Sequence, residues 1–163
     1  MCLKICLVVY KFIGKRFAHM DRKSWLSLMA KSSSEDIKTC WKKAELDCAA
    51  EIIRMPEIGS VMVKGRQGGN GAAFHLGEMS VTRCSIKTEA GIIGHGYHQG
   101  RSKDTAELVA KIDALAQGDQ FQIVNDKIFT ILSNIEAGKI QNLTAKAAAT
   151  KVDFFTMVRG EDE

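Results

Sequence analysis

The chain has 163 residues, which suits a single domain, because domains commonly run to about 100–200 residues. Hydrophobic residues make up 45% of it and charged residues 26%, so a core can form and a disordered, collagen-like or coiled-coil protein is excluded. The longest apolar run, residues 5–10, is far shorter than the ~20 residues of a membrane-spanning helix. We therefore predict no membrane span.

The formal net charge of +4 comes entirely from the N-terminal end of the chain. Residues 1–19 contain no acid, and the remaining residues 20–163 hold 19 basic and 19 acidic side chains. The basic residues of the first segment are Lys4, Lys11, Lys15 and Arg16. Proteins that bind nucleic-acid phosphates usually carry a basic stripe in the folded domain. We predict that this chain has no nucleic-acid partner.

Residues 1–19 differ from the rest of the sequence and allow three interpretations: a signal peptide, a membrane-surface arm or an extension outside the fold. Their apolar run is shorter than the ~7–15 residues of a secretory signal, and no small-x-small cleavage site follows it. Asp21 begins a good helix pattern directly afterwards. We favour an extension followed by one domain over residues 20–163, with Met20 as a candidate natural start.

The cysteine count and the histidine spacing bear on location and metal binding. The chain has five cysteines and no C-x-x-C, which indicates reduced thiols and a cytoplasmic protein. His95 and His98 are three residues apart, a spacing that places them on opposite faces of a strand. We predict no metal site.

Two helices are predicted at the start of the domain. Asp21 caps the first, which carries Trp25, Leu26 and Met29 on one side. The sequence Ser32-x-x-Glu35 is a capping box and predicts the start of the second helix. Four apolar residues then recur at helical spacing, namely Ile37, Cys40, Trp41 and Ala44.

The middle of the chain predicts strands. Ten of the 14 glycines lie in residues 59–100, between alternating or β-branched runs that predict strands at 49–55, 60–64, 73–76, 80–87 and 92–98. Turns are expected at Pro56 with Gly59, at 68–71 and at 88–91, and a kink or bulge near Gly77. Because short connections favour antiparallel pairing, the segment predicts a meander of three to five strands.

Helices return after the strands. Asp104-x-x-Glu107 is a second capping box, and Gly118 is placed to close its helix. Residues 121–132 suit either a buried helix or an extended segment. Ser133-x-x-Glu136 predicts another helix start, with an end near Thr150. The predicted class is α+β, with an antiparallel meander flanked by N-terminal and C-terminal helices.

Residues 151–163 form an unusually apolar end. Its large side chains are worth roughly 1.5–3 kcal/mol each when buried, whereas chain ends usually fray. We therefore expect this tail either to dock on a partner or to complete the sheet of its own domain. The predicted partner-binding residues are Val152, Asp153, Phe154, Phe155, Met157, Val158 and Arg159.

A glycine-rich loop at 65–71 is the best candidate for a phosphate or substrate contact. Its glycines allow main-chain N–H groups to approach an anion, and Arg66 offers a bidentate guanidinium. It lacks the Walker A and dinucleotide-binding patterns, so a plain hairpin turn is the competing interpretation. The candidate contacts are Arg66, Gly68, Gly69, Gly71, Arg83 and Arg101.

Acids suited to proton transfer are few: Glu57, Glu78 and Asp113 are the candidates, and each also has an ordinary structural explanation. The spacing supports neither a Ser-His-Asp nor a Cys-His arrangement. The residues alone therefore indicate a domain that is not a self-sufficient enzyme.

The chain resembles the PhnG family, which supplies one component of the bacterial carbon–phosphorus lyase core complex. The resemblance covers roughly residues 22–163 and is carried mainly by the string at 152–160, Val-Asp-Phe-Phe-Thr-Met-Val-Arg-Gly. It is supported, in order, by Arg66, Gly68, Gly69, Gly71, Phe74, Gly77, Thr82-Arg83, Gly100-Arg101, Ala106-Glu107 and Asp113-Ala114-Leu115. Ser102 departs from the family pattern, in which an Asp commonly follows the Gly-Arg pair, and this puts a charge-based role for that turn in doubt.

The resemblance implies phosphonate catabolism. In such a complex PhnG, PhnH, PhnI and PhnL together displace adenine from ATP with an alkylphosphonate, forming ribose 1-methylphosphonate 5-triphosphate, and PhnJ later breaks the C–P bond. PhnI is regarded as the nucleosidase. The implied role here is a hetero-oligomeric assembly partner with no cofactor of its own and ATP as the substrate of the complex; the alternative is a component that contacts phosphate through Arg66 and the glycine loop.

Overall fold

A computed structural model describes residues 20–151 of the chain. The N-terminal segment 1–19 and residues 152–163, which hold all seven predicted tail contacts, lie outside the described residues. The elements in chain order are α1 (Arg22–Lys31), α2 (Ser34–Ala44), β1 (Ala50–Arg66), β2 (Ala73–Thr88), β3 (Ile93–Gln99), α3 (Lys103–Gln117), α4 (Phe121–Val124), a π-helical turn (Asn125–Phe129) and α5 (Thr130–Ala149).

The α+β prediction is confirmed, with three strands in the order β1-β2-β3 and both pairs antiparallel. The predicted turn at 68–71 connects β1 to β2, and that at 88–91 connects β2 to β3. Helices precede and follow the sheet, as expected. Because α3 packs on one face of the sheet, the other face is called the outer face below.

The predicted turn at Pro56 and Gly59 is wrong, because β1 is continuous through both residues. Its pairing with β2 shifts register between Ile52 and Arg54 and again between Arg54 and Glu57. A proline is tolerated in a strand at an edge or at a bulge, where its missing N–H breaks no ladder bond. Pro56 meets both conditions, because β1 is an edge strand and its register shifts between Arg54 and Glu57. The bulge predicted near Gly77 is confirmed, because the register also shifts at that residue's partner Val63.

The helix starts are displaced from the predicted capping boxes. Asp21 precedes α1 as expected. The cap of α2 is Ser33, which accepts a hydrogen bond from the Asp36 N–H at 3.1 Å, and not Ser32. Ser32 closes α1 instead, and its hydroxyl donates to the Leu28 carbonyl at 2.8 Å. Both Ser positions suit a cap locally, and the end of the preceding helix decides between them.

The start of α3 is also displaced from the predicted box. Ser102 is its N-cap and accepts from the Thr105 N–H, whereas Asp104 lies inside the first turn. Gly118 closes the helix as predicted, because its N–H donates to the Leu115 carbonyl. Ser and Asp are similarly good N-caps. Ser102, which stands where the family pattern commonly has an Asp, can therefore cap α3 equally well.

The segment after α3 is helical from Phe121 to Ala149, so the helix start predicted at Ser133 is wrong. Ser133 lies inside a helical segment that began at Phe121, where its box has no free N–H groups to satisfy. The end near Thr150 is confirmed. The π-helical turn rotates the helix so that apolar residues before, within and after it reach the core, namely Val124, Ile128, Phe129 and Leu132.

The main core lies between the helices and is organised around Trp25. Its ring stacks on Phe129, with centroids 5.8 Å apart and planes at 10°, and lies 5.7 Å from the ring of Phe121. Trp25 Nε1 donates to Asp113 Oδ1 at 2.9 Å. A second, smaller cluster joins the sheet to α3 and contains Cys48, Cys84, Ile86, Ala106, Ala110 and Ala114.

The two edges of the sheet differ. At the outer edge of β3, the His95 N–H donates to Asp113 Oδ2 at 2.9 Å, and the Ile93 carbonyl accepts from Gln117 Nε2 at 3.0 Å. Arg22 Nη2 reaches the same carbonyl at 3.4 Å. These side chains occupy main-chain groups that a further strand would need. In residues 20–151 no strand pairs with the outer edge of β1.

Candidate functional site

The glycine-rich loop is the tip of a long hairpin. Main-chain bonds close it: Gln67 N–H donates to the Ala72 carbonyl at 3.3 Å, and Gly71 N–H to the Gln67 carbonyl at 2.7 Å. Arg66 Nη1 donates to the Gly71 carbonyl at 3.3 Å. Gly68 has φ +57°, a conformation that glycine adopts at little cost. The loop therefore has the internal bonds of a hairpin turn, and Arg66 stabilises it.

The three arginines proposed as phosphate contacts do not converge. Arg66 pairs with Ala73 at the tip, whereas Arg83 pairs with Glu57 near the body. The stretch of β1 between these pairs corresponds to roughly 30 Å of strand, at ~3.3 Å per residue. Arg101 is exposed in the turn before α3. The roles assigned to Arg66, Gly68, Gly69, Gly71, Arg83 and Arg101 stay predictions.

The Gly100-Arg101 turn is fixed to the sheet. Gly100 has φ +100°, its N–H donates to the Ser80 carbonyl at 2.9 Å, and its carbonyl accepts from the Thr82 hydroxyl at 2.8 Å. The turn thereby places Ser102 as the cap of α3. Thr82 and Gly100 thus position the helix, and the side chain of Arg101 extends from a rigid turn.

The three candidate acids lie in different surroundings. Glu57 pairs with Arg54 on the outer face, and Glu78 is exposed opposite Met62 on the hairpin. Asp113 is fully buried in α3. They form no shared acid–base site, because they occupy separate parts of the molecule.

Asp113 joins three elements through one carboxylate. Besides the bonds from Trp25 and the His95 N–H, its Oδ2 accepts from Arg22 Nη2 at 2.8 Å and from Gln117 Nε2 at 3.1 Å. A buried carboxylate with this many donors is held by them and holds them in place. Asp113 therefore has a structural role. The sequence offered it only as a candidate for proton transfer, because an acid on a helix face does not show which side chains pack against it.

The two histidines predicted to lie on opposite faces do so. His98 is buried and its Nε2 lies 3.0 Å from the Ser32 carbonyl, whereas His95 is exposed on the outer face. Burial outweighs that hydrogen bond and lowers the pKa of His98. Within residues 20–151 no cluster of three metal-ligating side chains is present.

The hairpin extends well beyond the body. β3 pairs only with residues 81–87 of β2, so residues 60–80, which we call the ribbon, are a two-stranded β-structure. Apolar side chains on it are exposed, including Met62 at 54%, Leu76 at 67% and Phe74 at 46% of their surface. Isolated two-stranded hairpins are only marginally stable in water. The sequence pattern predicted strands in this region, but it did not predict that no other described element packs on them.

Comparison with known proteins settles the relationship. The family model described as "Phosphonate metabolism protein PhnG" matches residues 20–160. The chain belongs to the PhnG family. It is also 34% identical over 142 residues to the alpha-D-ribose 1-methylphosphonate 5-triphosphate synthase subunit PhnG of Rhizobium meliloti (strain 1021), a match that covers 87% of this chain and 91% of that relative. The resemblance drawn from the sequence motifs is thus confirmed.

Membership of the PhnG family places the chain in phosphonate metabolism, and the relative is by its name a subunit of a synthase. The described part of this PhnG family member contains no helix long and apolar enough to cross a membrane. Its three described cysteines, Cys40, Cys48 and Cys84, are free and buried.

Proposed function

We propose that this chain is a cytoplasmic subunit of the complex that transfers the ribose 5-triphosphate moiety of ATP to methylphosphonate and releases adenine. It acts mainly as an assembly partner of the nucleosidase-type subunit PhnI, within a hetero-oligomer that also contains the carbon–phosphorus lyase proteins PhnH, PhnJ and PhnL. The name of the relative, a ribose 1-methylphosphonate 5-triphosphate synthase subunit, supports this reaction. The chain needs no cofactor of its own for such a role.

The uncovered ribbon is the observation that carries the assembly role. Beyond β3 the described strands have no third partner and no helix above them, while Met62, Phe74 and Leu76 are exposed. Burying apolar surface of this kind stabilises by about 25 cal/mol per Å². A second subunit that covers the ribbon therefore gains more from it than from a polar surface of equal area.

The far end of α5 supports the same role. Its last buried residue is Leu132, and residues 139–150 are exposed on every side. At 1.5 Å per residue, Ala149 lies ~25 Å further along the helix than Leu132. The apolar tail thus begins at a distance from the core, as expected if it anchors in a partner and not in the sheet of its own chain.

Co-expression with the other subunits tests the proposal. We expect the full chain to co-purify with them and the resulting complex to release adenine from ATP and methylphosphonate, which the isolated chain does not do. The double variant Met62→Asp/Leu76→Asp should remain folded, because both side chains are exposed, and should fail to co-purify. The matched control is Ile123→Asp, a similarly exposed apolar residue on α4. Retained assembly of the double variant would contradict the role of the ribbon.

Truncation after Thr150 tests the tail separately. Loss of co-purification with unchanged folding of residues 20–150 is expected. If the truncated chain assembles with unchanged affinity, the predicted anchors Phe154, Phe155 and Met157 have no part in the contact.

A second role is favoured by the position of the glycine loop at the tip of the ribbon. A ribbon buried in a partner carries Arg66 to the subunit boundary, and only the Nη1 group of Arg66 is bonded within the described residues. Arg66→Ala should then reduce adenine release while assembly stays intact, and Arg66→Lys should restore part of it. Loss of assembly would instead assign the loop to the interface.

A further inference from the structure

The outer face of the sheet carries an ordered polar group near the body, which we call the outer-face patch. Its six residues come from two rows across the three strands, as the pairing register requires: Arg54, Ser85 and His95 in one row, and Glu57, Arg83 and Tyr97 in the next. All of them are on the side of the sheet opposite α3, where no described helix covers them.

One carboxylate oxygen organises the arginines of the patch. Glu57 Oε2 accepts from Arg54 Nη2 at 2.7 Å and Nε at 3.2 Å, and lies 3.9 Å from Arg83 Nε. This pairing uses the Nε side of Arg83. Its two Nη groups have no partner in the described part of the chain, and 52% of the side chain is exposed.

Each row adds a polar ring next to Arg83, His95 from the first and Tyr97 from the second. Ser85 Oγ lies 3.0 Å from His95 Nδ1, which leaves His95 Nε2 directed away from that bond. Tyr97 is the direct cross-strand partner of Arg83, so the two Cβ atoms are about 5 Å apart. A guanidinium and a phenol therefore present donors on one side of the sheet, and His95 Nε2 adds a third in the tautomer in which Ser85 Oγ donates to Nδ1.

The composition of this face is that of a protein interface. Arg and Tyr are among the residues most enriched in the energetically important centre of such contacts. Exposed apolar side chains adjoin the patch on two strands, at Ile53, Met55 and Ile93. The same face of β1 and β2 continues into the ribbon through Val61 and Met79, which are paired across the strands.

We propose that the outer-face patch binds an Asp or Glu carboxylate of another subunit, with the Nη groups of Arg83 as the bidentate donor and His95 and Tyr97 beside it. This inference rests on the proposed function, because it requires a partner, and adds the site and the chemistry of the contact. Planar guanidinium groups match a carboxylate in this geometry.

The charge of the patch favours a carboxylate over a phosphoryl group. Glu57 neutralises one of the two arginines, so Arg83 supplies about one unpaired positive charge. A triphosphate carries several negative charges and would lie close to the Glu57 carboxylate, which repels it. A single partner carboxylate matches the charge that Arg83 leaves available.

The experiment compares affinities for the other subunits, measured with the full chain at low and at high salt. Arg83→Glu should weaken binding at least about tenfold, Arg83→Lys should weaken it less, and the salt dependence should be smaller in Arg83→Gln than in the wild type. The control is Lys87→Glu, which reverses a charge on the same strand and face and should leave affinity within about twofold. Unfolding curves confirm that each variant is folded.

Three results overturn the proposal. If Arg83→Glu and the wild type bound with equal affinity, the proposed carboxylate contact would be contradicted and the proposed function would still stand. Normal assembly with loss of adenine release would assign the patch to phosphoryl groups of the substrate. A wild-type chain that binds no other subunit would contradict the proposed function, and this inference with it.

Discussion

Gly96 of β3 lies directly against the main-chain carbonyl of Ala106 in α3, so that a Cβ atom on Gly96 would overlap that oxygen. Gly94 has the same relationship with the carbonyl of Ala110. The two glycines allow the helix to approach the strand more closely than side chains would permit. This short separation brings the carboxylate of Asp113, further along α3, within 2.9 Å of the His95 N–H.

Gly96→Ala tests the close approach. The new methyl group meets helix backbone, which cannot move aside as a flexible side chain can, so we expect a loss of roughly 1–3 kcal/mol in the free energy of unfolding. Urea unfolding measures it. Gly59→Ala is the control, because a Cβ there meets nothing within 4 Å. Equal stability of the two variants would show that α3 can shift without cost.

Asp113→Ala removes the shared acceptor. The buried Trp25 Nε1 and His95 N–H lose their partner, at a cost of about 1–3 kcal/mol for each unsatisfied group. Thermal unfolding should therefore show a strongly destabilised chain. Asp119→Ala, at an exposed turn position, should change the free energy of unfolding by less than about 0.5 kcal/mol. If Asp113→Ala were as stable as the wild type but inactive in the assembled complex, Asp113 would have a chemical role instead.

His98 makes stability depend on pH. Its pKa in the folded chain lies below the ordinary value of 6.5 because of burial, and its Nδ1 has no partner among the described residues. As the pH falls below 6.5, the unfolded chain takes up a proton that the folded chain excludes. The stabilisation is therefore complete above that ordinary value and is lost as the pH falls towards the lowered one, by at most about 1.4 kcal/mol per pH unit.

The measurement is the free energy of unfolding of the wild type and of His98→Gln at a series of pH values between about 7.5 and about 5, which span the ordinary titration range of histidine. Gln can donate to the Ser32 carbonyl but does not titrate, so the slope between these values should become smaller in the variant. An unchanged slope would assign the pH dependence to other groups.

The described thiols should be unreactive in the folded chain. Burial is the main cause that raises the pKa of Cys40, Cys48 and Cys84, and the reactive species is the thiolate. We expect alkylation of these three residues only after unfolding, as followed by mass spectrometry of their peptides. Rapid labelling of Cys84 in the native chain would indicate that the cluster between sheet and α3 opens readily.

Local patterns predicted the elements better than their ends. The period of the apolar residues located α1, α2 and α3, and the glycine-rich turns located the connections of the meander. The caps at Ser32, Asp104 and Ser133 were wrong because a capping box is a local signal, and packing decides which residue leaves the helix. The turn predicted at Pro56 was wrong, because the local sequence does not show that this residue lies at a bulge in an edge strand of the sheet.

The candidate site was less predictable than the fold. Arg66 could be placed in a loop, but its distance from Arg83 follows only from the length of an uninterrupted β1. The donors around Asp113 come from α1, β3 and α3, and no spacing in the sequence records that they meet. The outer-face patch depends on a register across three strands, which bulges in β1 shift from simple alternation.

The hydrogen bonds that Asp113, Arg22 and Gln117 make to the edge of β3 have a consequence for repeated association. The outer edge of β1 could pair with the same edge of a second copy. The two edges then left free would both be β3 edges, whose main-chain groups are already occupied. Head-to-tail growth would require the β1 edge and the β3 edge of each copy to have unpaired main-chain groups. Association through the described sheet edges would therefore stop after one step, so residues 20–151 do not offer the two open edges on which a filament of sheets grows.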